Sequence, residues 1–150
     1  MSWSQILVPT DFSEPAATAL DSALDLASVL GARVTILHAY HLVIPMSVPP
    51  TGGGFRMPAS AARELRARAR EAVEELVERR SGSGVEMTAR AVEAPPATAI
   101  LSEAERIPAD LIVMGTHGRS GLAHAFLGSV AERVVRMAGC PVLTMRAGGG

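Results

Sequence analysis

Three glycines and a serine near the end of the chain have a spacing that suits anion chemistry: Gly115, Gly118, Gly128 and Ser129. Glycine lets the backbone approach a ligand closely, and the clustered N–H groups of a glycine-rich turn form a site for an anion. Gly128 and Ser129 also open a predicted helix, whose free N–H groups and dipole favour a phosphate. Because these two elements flank one loop, the sequence predicts that they hold a polyphosphate from both sides.

Two side chains inside this loop are further candidates. Arg119 is the only fixed positive charge in the segment, and its guanidinium can contact a phosphate through two hydrogen bonds. His117 can donate to a phosphate or orient a magnesium-bound water, although a purely structural turn histidine fits the sequence equally well. A second interpretation of the whole segment also stays open. Ser129 and Glu132 match a capping box that merely starts a helix, and glycine-rich turns also occur where nothing binds.

Composition excludes several classes of function. The chain of 150 residues has no lysine among its 14 basic residues, so it has neither a Walker A phosphate loop nor a Schiff-base lysine. Its formal net charge of −1 gives no bulk attraction to nucleic acid or to an anionic membrane. Cys140 is the single cysteine, which excludes a disulfide framework and a multi-cysteine zinc site. We interpret Cys140 as a buried thiol that fills space.

Short apolar runs alternate with helical patterns along the chain. The pattern predicts strands over 6–8, 34–40, 85–92, 110–114 and 141–146, and helices over 13–30, 61–80, 97–106 and 129–137. This order is typical of one doubly wound α/β domain over residues 1–150, with a five-stranded parallel sheet and helices on both faces. A proline- and glycine-rich stretch, 41–59, is expected to be a flexible connection, and 147–150 a frayed tail.

The sequence resembles the universal stress protein family along nearly its whole length. The resemblance rests on the segments 6–13, 34–39, 109–118 and 128–135, and on Cys140 to Leu143. The nucleotide-binding branch of that family is marked by the pattern Gly-x2-Gly-x9-Gly-Ser/Thr. Gly115, Gly118, Gly128 and Ser129 match it with every spacing intact.

The resemblance implies a Rossmann-like fold of the adenine nucleotide alpha hydrolase type, with ATP and Mg²⁺ at the carboxyl edge of the first and fourth strands. Asp11 would lie by the ribose and adenine, a role that suits a carboxylate because it would repel phosphates; capping of the first helix is its structural alternative. The site residues implied in this way are Pro9, Thr10, Asp11, Ala39, Met114, Gly115, His117, Gly118, Arg119, Gly128, Ser129 and Val130.

The resemblance also implies a homodimer that pairs through the C-terminal strand, 142–145. The leading hypothesis is an ATP-binding sensor or adaptor in the stress response, acting on protein partners that the sequence does not name. A slow ATPase or nucleotide-dependent phosphotransferase is one alternative, and a binder of AMP or a cyclic nucleotide is another. No catalytic residue and no metal-ligating side chain is assigned. A cytoplasmic protein that binds neither nucleic acid nor membranes is expected, since the N-terminus lacks the pattern of a signal peptide.

Overall fold

Strands and helices alternate as the apolar patterns predict. The computed structural model describes residues 2–41, 57–117 and 127–147. Its strands are β1 (Gln5–Pro9), β2 (Arg33–Tyr40), β3 (Met87–Glu93), β4 (Leu111–Gly115) and β5 (Val142–Met145). Its helices are α1 (Glu14–Leu30), α2 (Ala59–Arg79), α3 (Pro96–Arg106) and α4 (Ser129–Met137), with a short 3₁₀ turn at Ser81–Ser83.

The five described strands form one parallel sheet in the order β3-β2-β1-β4-β5. Apolar side chains of α1 and α2 pack on one face, around Ile6 and Val34. Those of α3 and α4 pack on the other face, around Leu7 and Ile112. Successive side chains of a strand point to opposite faces, so a strand buried on both sides is continuously apolar. The predicted doubly wound α/β fold is therefore confirmed.

The order of the strands places a switch point at the centre of the sheet. From β1 the chain proceeds to β2 and β3 on one side, whereas β4 and β5 lie on the other side of β1. Helices that leave neighbouring strands in opposite directions open a crevice at the carboxyl ends of those strands, where ligands bind in this class of fold. That crevice lies between the ends of β1 and β4.

Helix α1 has the ends that its sequence predicts. Ser13 is its N-cap, and the Ser13 hydroxyl accepts a hydrogen bond of 3.4 Å from the N–H of Ala16. Pro15 lies in the first turn, where a missing N–H costs nothing. Gly31 ends the helix in the left-handed region with φ of 67°. These local signals fix where α1 begins, next to the switch point, and where it ends.

Other boundaries differ by a few residues. Helix α2 begins at Ala59 instead of 61, and β3 begins at Met87 instead of 85, because the 3₁₀ turn and a left-handed Gly84 come before it. Most of the predicted flexible connection, residues 42–56, lies outside the described residues, as do 148–150 of the predicted tail. In the part of the chain that is described, no helix is both long and apolar enough to cross a membrane.

The capping-box interpretation of α4 is wrong. Gly128 is the N-cap and Ser129 is the first residue inside the helix, so the Ser129 hydroxyl does not cap it. The side chain of Glu132 forms an ion pair with Arg136 one turn further on and does not reach back to the start of the helix. The glycine at the cap instead brings the chain close to β4.

One buried carboxylate joins the edge of the sheet to α3. The side chain of Glu103 is 4% exposed and accepts hydrogen bonds of 3.0 Å from Nε of Arg90 on β3 and 3.0 Å from Nε of Arg106. The hydrogen bond from Arg106 outweighs desolvation, and with Arg90 it lowers the pKa of Glu103 below its ordinary value. This ion-pair group fixes α3, which forms one wall of the crevice.

Candidate functional site

A cavity of about 270 Å³ occupies the crevice at the carboxyl ends of β1 and β4. It is lined by every predicted site residue that the structure describes: Pro9, Thr10, Asp11, Ala39, Met114, Gly115, His117, Gly128, Ser129 and Val130. The other two predicted residues, Gly118 and Arg119, lie outside the described residues. The structure thus brings together residues that are far apart in the sequence.

The cavity also has walls that the sequence analysis missed: Ala16, Leu37, Pro96, Ile100, Thr116 and Ala131. Leu37 was detectable, because it precedes Ala39 by two residues and so faces the same side of β2. Pro96 and Ile100 carried no such signal, because they reach the cavity only through the packing of α3 on the sheet. Leu37, Pro96 and Ile100 together form an apolar wall at the end of the cavity near β2.

The loop from β1 to α1 is held by its own side chains. Oδ1 of Asp11 accepts a hydrogen bond of 3.0 Å from the N–H of Ser13, and Oγ1 of Thr10 accepts one of 3.1 Å from the N–H of Phe12. These bonds hold Phe12 at φ of 62°, a conformation that an aromatic residue seldom adopts. Ser13, and not Asp11, is the N-cap of α1. The side chain of Asp11 stabilises the loop through its hydrogen bond and also lines the cavity.

Thr116 joins β4, β5 and α4 at the floor of the cavity. Its N–H donates to the carbonyl of Met145 at 2.9 Å, and its own carbonyl accepts the N–H of Gly128 at 2.7 Å. A Cβ on Gly128 would lie 3.0 Å from that carbonyl oxygen, so glycine permits this approach. The N–H of Gly128 is therefore engaged within the protein. Gly128 contributes to the site by placing the residues that follow it.

The start of α4 presents backbone donors to the cavity. Its first helical hydrogen bond runs from the N–H of Glu132 to the carbonyl of Gly128 at 2.9 Å. The N–H groups of Ser129, Val130 and Ala131 come before it, so they have no acceptor within the helix. All three residues line the cavity. Donors at the positive end of a helix dipole favour an anionic group at this position.

His117 carries a polar atom that lacks a partner. Its Nδ1 lies 2.9 Å from Oγ1 of Thr116, which fixes the ring. Its Nε2 is buried without a hydrogen-bond partner in the structure described. A buried polar nitrogen without a partner costs about 1–3 kcal/mol, so a ligand that supplies a hydrogen-bond partner would remove that cost. The ring lines the cavity beside the start of α4.

Gly115 has a packing role as well as a place in the cavity wall. A Cβ built on it would lie 2.9 Å from Cβ of Pro15 and 3.0 Å from the carbonyl carbon of that residue. Glycine therefore allows the end of β4 to pass directly beneath the first turn of α1. This close passage sets the width of the crevice.

Two other reactive side chains take no part in the cavity. Burial, with a contribution from nearby Asp110, raises the pKa of the Cys140 thiol, so this half-buried cysteine is a poor thiolate. His38 uses Nδ1 to contact the carbonyl of Thr10 at 3.1 Å, and its ring packs on Phe12. Within the described residues, no group of His, Cys, Asp and Glu side chains could hold a metal ion.

The fold and the cavity define a doubly wound α/β domain with a ligand site at its switch point. The family model for the universal stress protein family matches residues 2–146. A universal stress protein of Methanocaldococcus jannaschii, MJ0531, is 35% identical over 144 residues, which is 96% of this chain and 82% of that protein. The chain therefore belongs to the universal stress protein family.

Solved structures agree with this assignment. The structure of hypothetical protein MJ0577 has a TM-score of 0.82 and 27% identity, and the match covers 100% of both chains. A universal stress protein in complex with cAMP has a TM-score of 0.70 and 26% identity, covering 99% of this chain and 100% of that one. The Rossmann-like fold predicted from the sequence is thus shared with known members of the family.

Proposed function

We propose that this protein binds an adenine nucleotide and that its preferred ligand is ATP with Mg²⁺. We propose further that it acts as a sensor or adaptor in the stress response. The observation that carries the proposal is the cavity at the switch point, which has an apolar wall at one end and, at the other, the N–H groups of α4 that have no acceptor within the helix. An aromatic base and a chain of phosphates need those two environments at opposite ends of one site. The family relative that holds cAMP supports the adenine class.

The lining residues suggest an orientation for the nucleotide. Ala39, Pro96 and Ile100 offer apolar contact to the base, and the Asp11 carboxylate can accept hydrogen bonds from ribose hydroxyls or an adenine amino group. The phosphates would meet the N–H groups of Ser129 and Val130, with the unpartnered Nε2 of His117 as a further donor. Mg²⁺ would arrive with the phosphates and neutralise part of their charge.

The contacts of Thr116 support a sensor over a simple store of nucleotide. Its backbone links the start of α4, through Gly128, to Met145 on the edge strand β5. A ligand that favours one arrangement of α4 would therefore also bias the end of β5, where we propose that two copies pair as a homodimer. The signal requires only that the nucleotide bind one arrangement of α4 more tightly than the other, because this difference in binding free energy shifts the populations of the two arrangements.

Substitution at Ser129 tests the proposed phosphate contact. Proline is tolerated at the first position of a helix, and Gly128 already has the extended ψ of 159° that suits a residue before proline. Ser129→Pro therefore removes one N–H donor while α4 stays intact. We expect calorimetric titration with Mg-ATP to show affinity reduced about tenfold, as for a lost charge-assisted hydrogen bond.

Ser129→Ala is the matched control, because it removes the hydroxyl and keeps the N–H. It should bind within about twofold of the unchanged protein, since the hydroxyl does not cap the helix. Equal affinity of both variants and the unchanged protein would contradict a phosphate at the start of α4. Absence of micromolar binding by the unchanged protein would contradict the nucleotide itself.

A panel of nucleotides separates the second candidate from the first. A universal stress protein of similar fold holds cAMP, so AMP or a cyclic nucleotide is a real alternative to ATP. If ATP is preferred, affinity should rise from AMP to ATP, because each added phosphate gains contacts at α4. Equal affinity for AMP and ATP would favour the alternative. Hydrolysis should be slow at most, and a fast rate abolished by His117→Ala would instead establish an ATPase.

A further inference from the structure

A second cavity of about 200 Å³ lies on the opposite face of the sheet from the first. It is an open cleft formed by α1, α2 and the loop between β1 and α1. The side chains of Leu20 and Leu76 that line it belong to the apolar layer of α1 and α2, whereas Ile100 and Met114 of the first cavity belong to that of α3 and α4. The two cavities share Thr10, whose loop separates them.

The floor of the second cavity is apolar. Ala17 and Leu20 lie three residues apart on α1 and so face the same side, and Leu76 faces them from α2. Phe12 closes the end nearest the sheet, with its ring centroid 4.7 Å from that of His38. An apolar cavity of about 150 Å³ is known to hold benzene, so the volume here admits a single ring or a branched aliphatic group.

The rim of the second cavity carries two arginines with different surroundings. Nε of Arg80 lies 3.0 Å from Oδ1 of Asp21, which balances its charge. Arg79 also lines the cavity, and no carboxylate in the described part of the chain forms an ion pair with it. The cavity thus combines an apolar floor with one uncompensated guanidinium at its mouth.

We propose that this second cavity binds a small monocarboxylate with an apolar body. The carboxylate would pair with Arg79 through two hydrogen bonds, and the apolar body would cover Ala17, Leu20 and Leu76. A neutral apolar molecule would form no ion pair with the guanidinium, and a polyanion would place charge on the apolar floor. The site does not depend on the proposed nucleotide, because it lies across the sheet from the first cavity.

The probe for this site is 4-fluorobenzoate, with 4-fluorobenzamide as its neutral counterpart. Each is titrated into the full chain, and binding is followed by fluorine NMR and by backbone amide shifts. A ligand of about ten non-hydrogen atoms should bind the unchanged protein with roughly millimolar affinity. The benzamide should bind at least about fivefold more weakly, because it cannot form the charged pair. Amide shifts should appear at Ala17, Leu76 and Arg79 and be absent at Ser129 and Val130.

Two variants and one control locate the contacts. Arg79→Gln removes the charge at the rim and should reduce affinity for 4-fluorobenzoate about tenfold. Arg63→Gln is its matched control, since Arg63 is an exposed arginine of the same helix outside the cavity, and should leave affinity unchanged. Ala17→Leu fills the floor with a good helix former and should abolish binding while the far-UV circular dichroism stays the same.

Several results would overturn the proposal. It fails if 4-fluorobenzoate shows no saturable binding, or if it binds Arg79→Gln as tightly as the unchanged protein. It fails equally if the amide shifts are confined to Gly128 and the residues that follow, because the probe would then occupy the first cavity. Binding of the benzamide as strong as that of the benzoate would show an apolar pocket without the proposed charge recognition.

Discussion

Gly115 shows how one residue can be required for packing inside a site. Substitution by alanine would place Cβ 2.9 Å from Cβ of Pro15 and close to the backbone of that residue, where no flexible side chain can move aside. We expect Gly115→Ala to lower the free energy of unfolding by about 1–3 kcal/mol, as for an overpacked core. Urea denaturation followed by circular dichroism measures the change.

Gly82 provides the control for that substitution. A Cβ on Gly82 meets nothing within 4 Å, so Gly82→Ala should change stability by less than about 0.5 kcal/mol. If both alanine variants are equally stable, the close passage of β4 beneath α1 does not constrain position 115. The glycine would then be needed for the ligand alone.

At this same scale, the sequence predicts which residues line the cavity better than it predicts the role of each residue. The spacing of the glycines and the position of Asp11 directly after a strand are both visible in the sequence. The left-handed conformation of Phe12 could not be predicted, because it depends on backbone N–H groups donating to the side chains of Thr10 and Asp11. The role of Gly128 was also hidden, since it depends on the carbonyl of Thr116 lying opposite.

Among the secondary-structure elements, β3 and α3 depend on the buried carboxylate of Glu103. Glu103→Gln would leave the guanidinium groups of Arg90 and Arg106 without a charged partner. We expect the free energy of unfolding at neutral pH to fall by about 2 kcal/mol, less than for a fully buried pair because both arginines are partly exposed. Thermal or urea unfolding measures it, and Glu105→Gln, at an exposed position of the same helix, should have little effect.

The same contacts predict a dependence on pH. Because folding lowers the pKa of Glu103, its contribution is fully present above the unfolded pKa of about 4.3 and is lost as pH falls through the lower folded value. Below about pH 4.3, across that window, the unchanged protein should lose stability more steeply on acidification than Glu103→Gln. Parallel stability profiles for the two proteins would contradict this role.

The ends of the helices and strands were predictable where a local signal exists. Ser13, Pro15 and Gly31 fix α1 through caps that depend only on neighbouring residues. The sequence predicted that α4 starts at Ser129, which is confirmed, but it offered Ser129 as the cap, whereas the cap is Gly128. Serine and glycine both suit the N-cap position, and only the close approach of the chain to Thr116 selects Gly128. Tertiary contacts decide such cases, so sequence alone leaves them open.

For the whole molecule, β5, the edge strand of the described sheet, is where we expect a second copy to pair. An exposed edge invites association, and Leu143 there is 37% exposed. Leu143→Glu should convert a dimer to a monomer, because two carboxylates would meet across the two-fold axis. Sedimentation velocity of the full chain measures the change in mass.

Val29→Glu is the matched control for the dimer. Val29 is 84% exposed at the end of α1, so it tests whether loss of any exposed apolar side chain has the same effect. The control should remain dimeric. A monomeric unchanged protein, or a Leu143→Glu variant that stays dimeric, would contradict pairing through β5.

The sequence predicted the global architecture because apolar periodicity and the handedness of crossovers leave few topologies. It also pointed to the loops after the first and fourth strands, and the structure has a cavity at the ends of β1 and β4. The apolar wall from α3 was not predictable, because it depends on how Pro96 and Ile100 pack across the sheet. The cytoplasmic location and the lack of nucleic-acid and membrane binding stay predictions.

The hydrogen bond between the N–H of Gly128 and the carbonyl of Thr116 has a consequence for protein engineering. It holds the N–H nitrogen of Gly128 2.7 Å from the carbonyl oxygen of Thr116, so β4 and α4 are joined directly at this point. The entropy of closing a loop between two fixed ends grows slowly with its length, by about 0.6 kcal/mol for each doubling. A short glycine-serine insertion after Ser120 should therefore leave the melting temperature almost unchanged, which makes this position a suitable attachment point for a peptide tag or a fluorescent reporter.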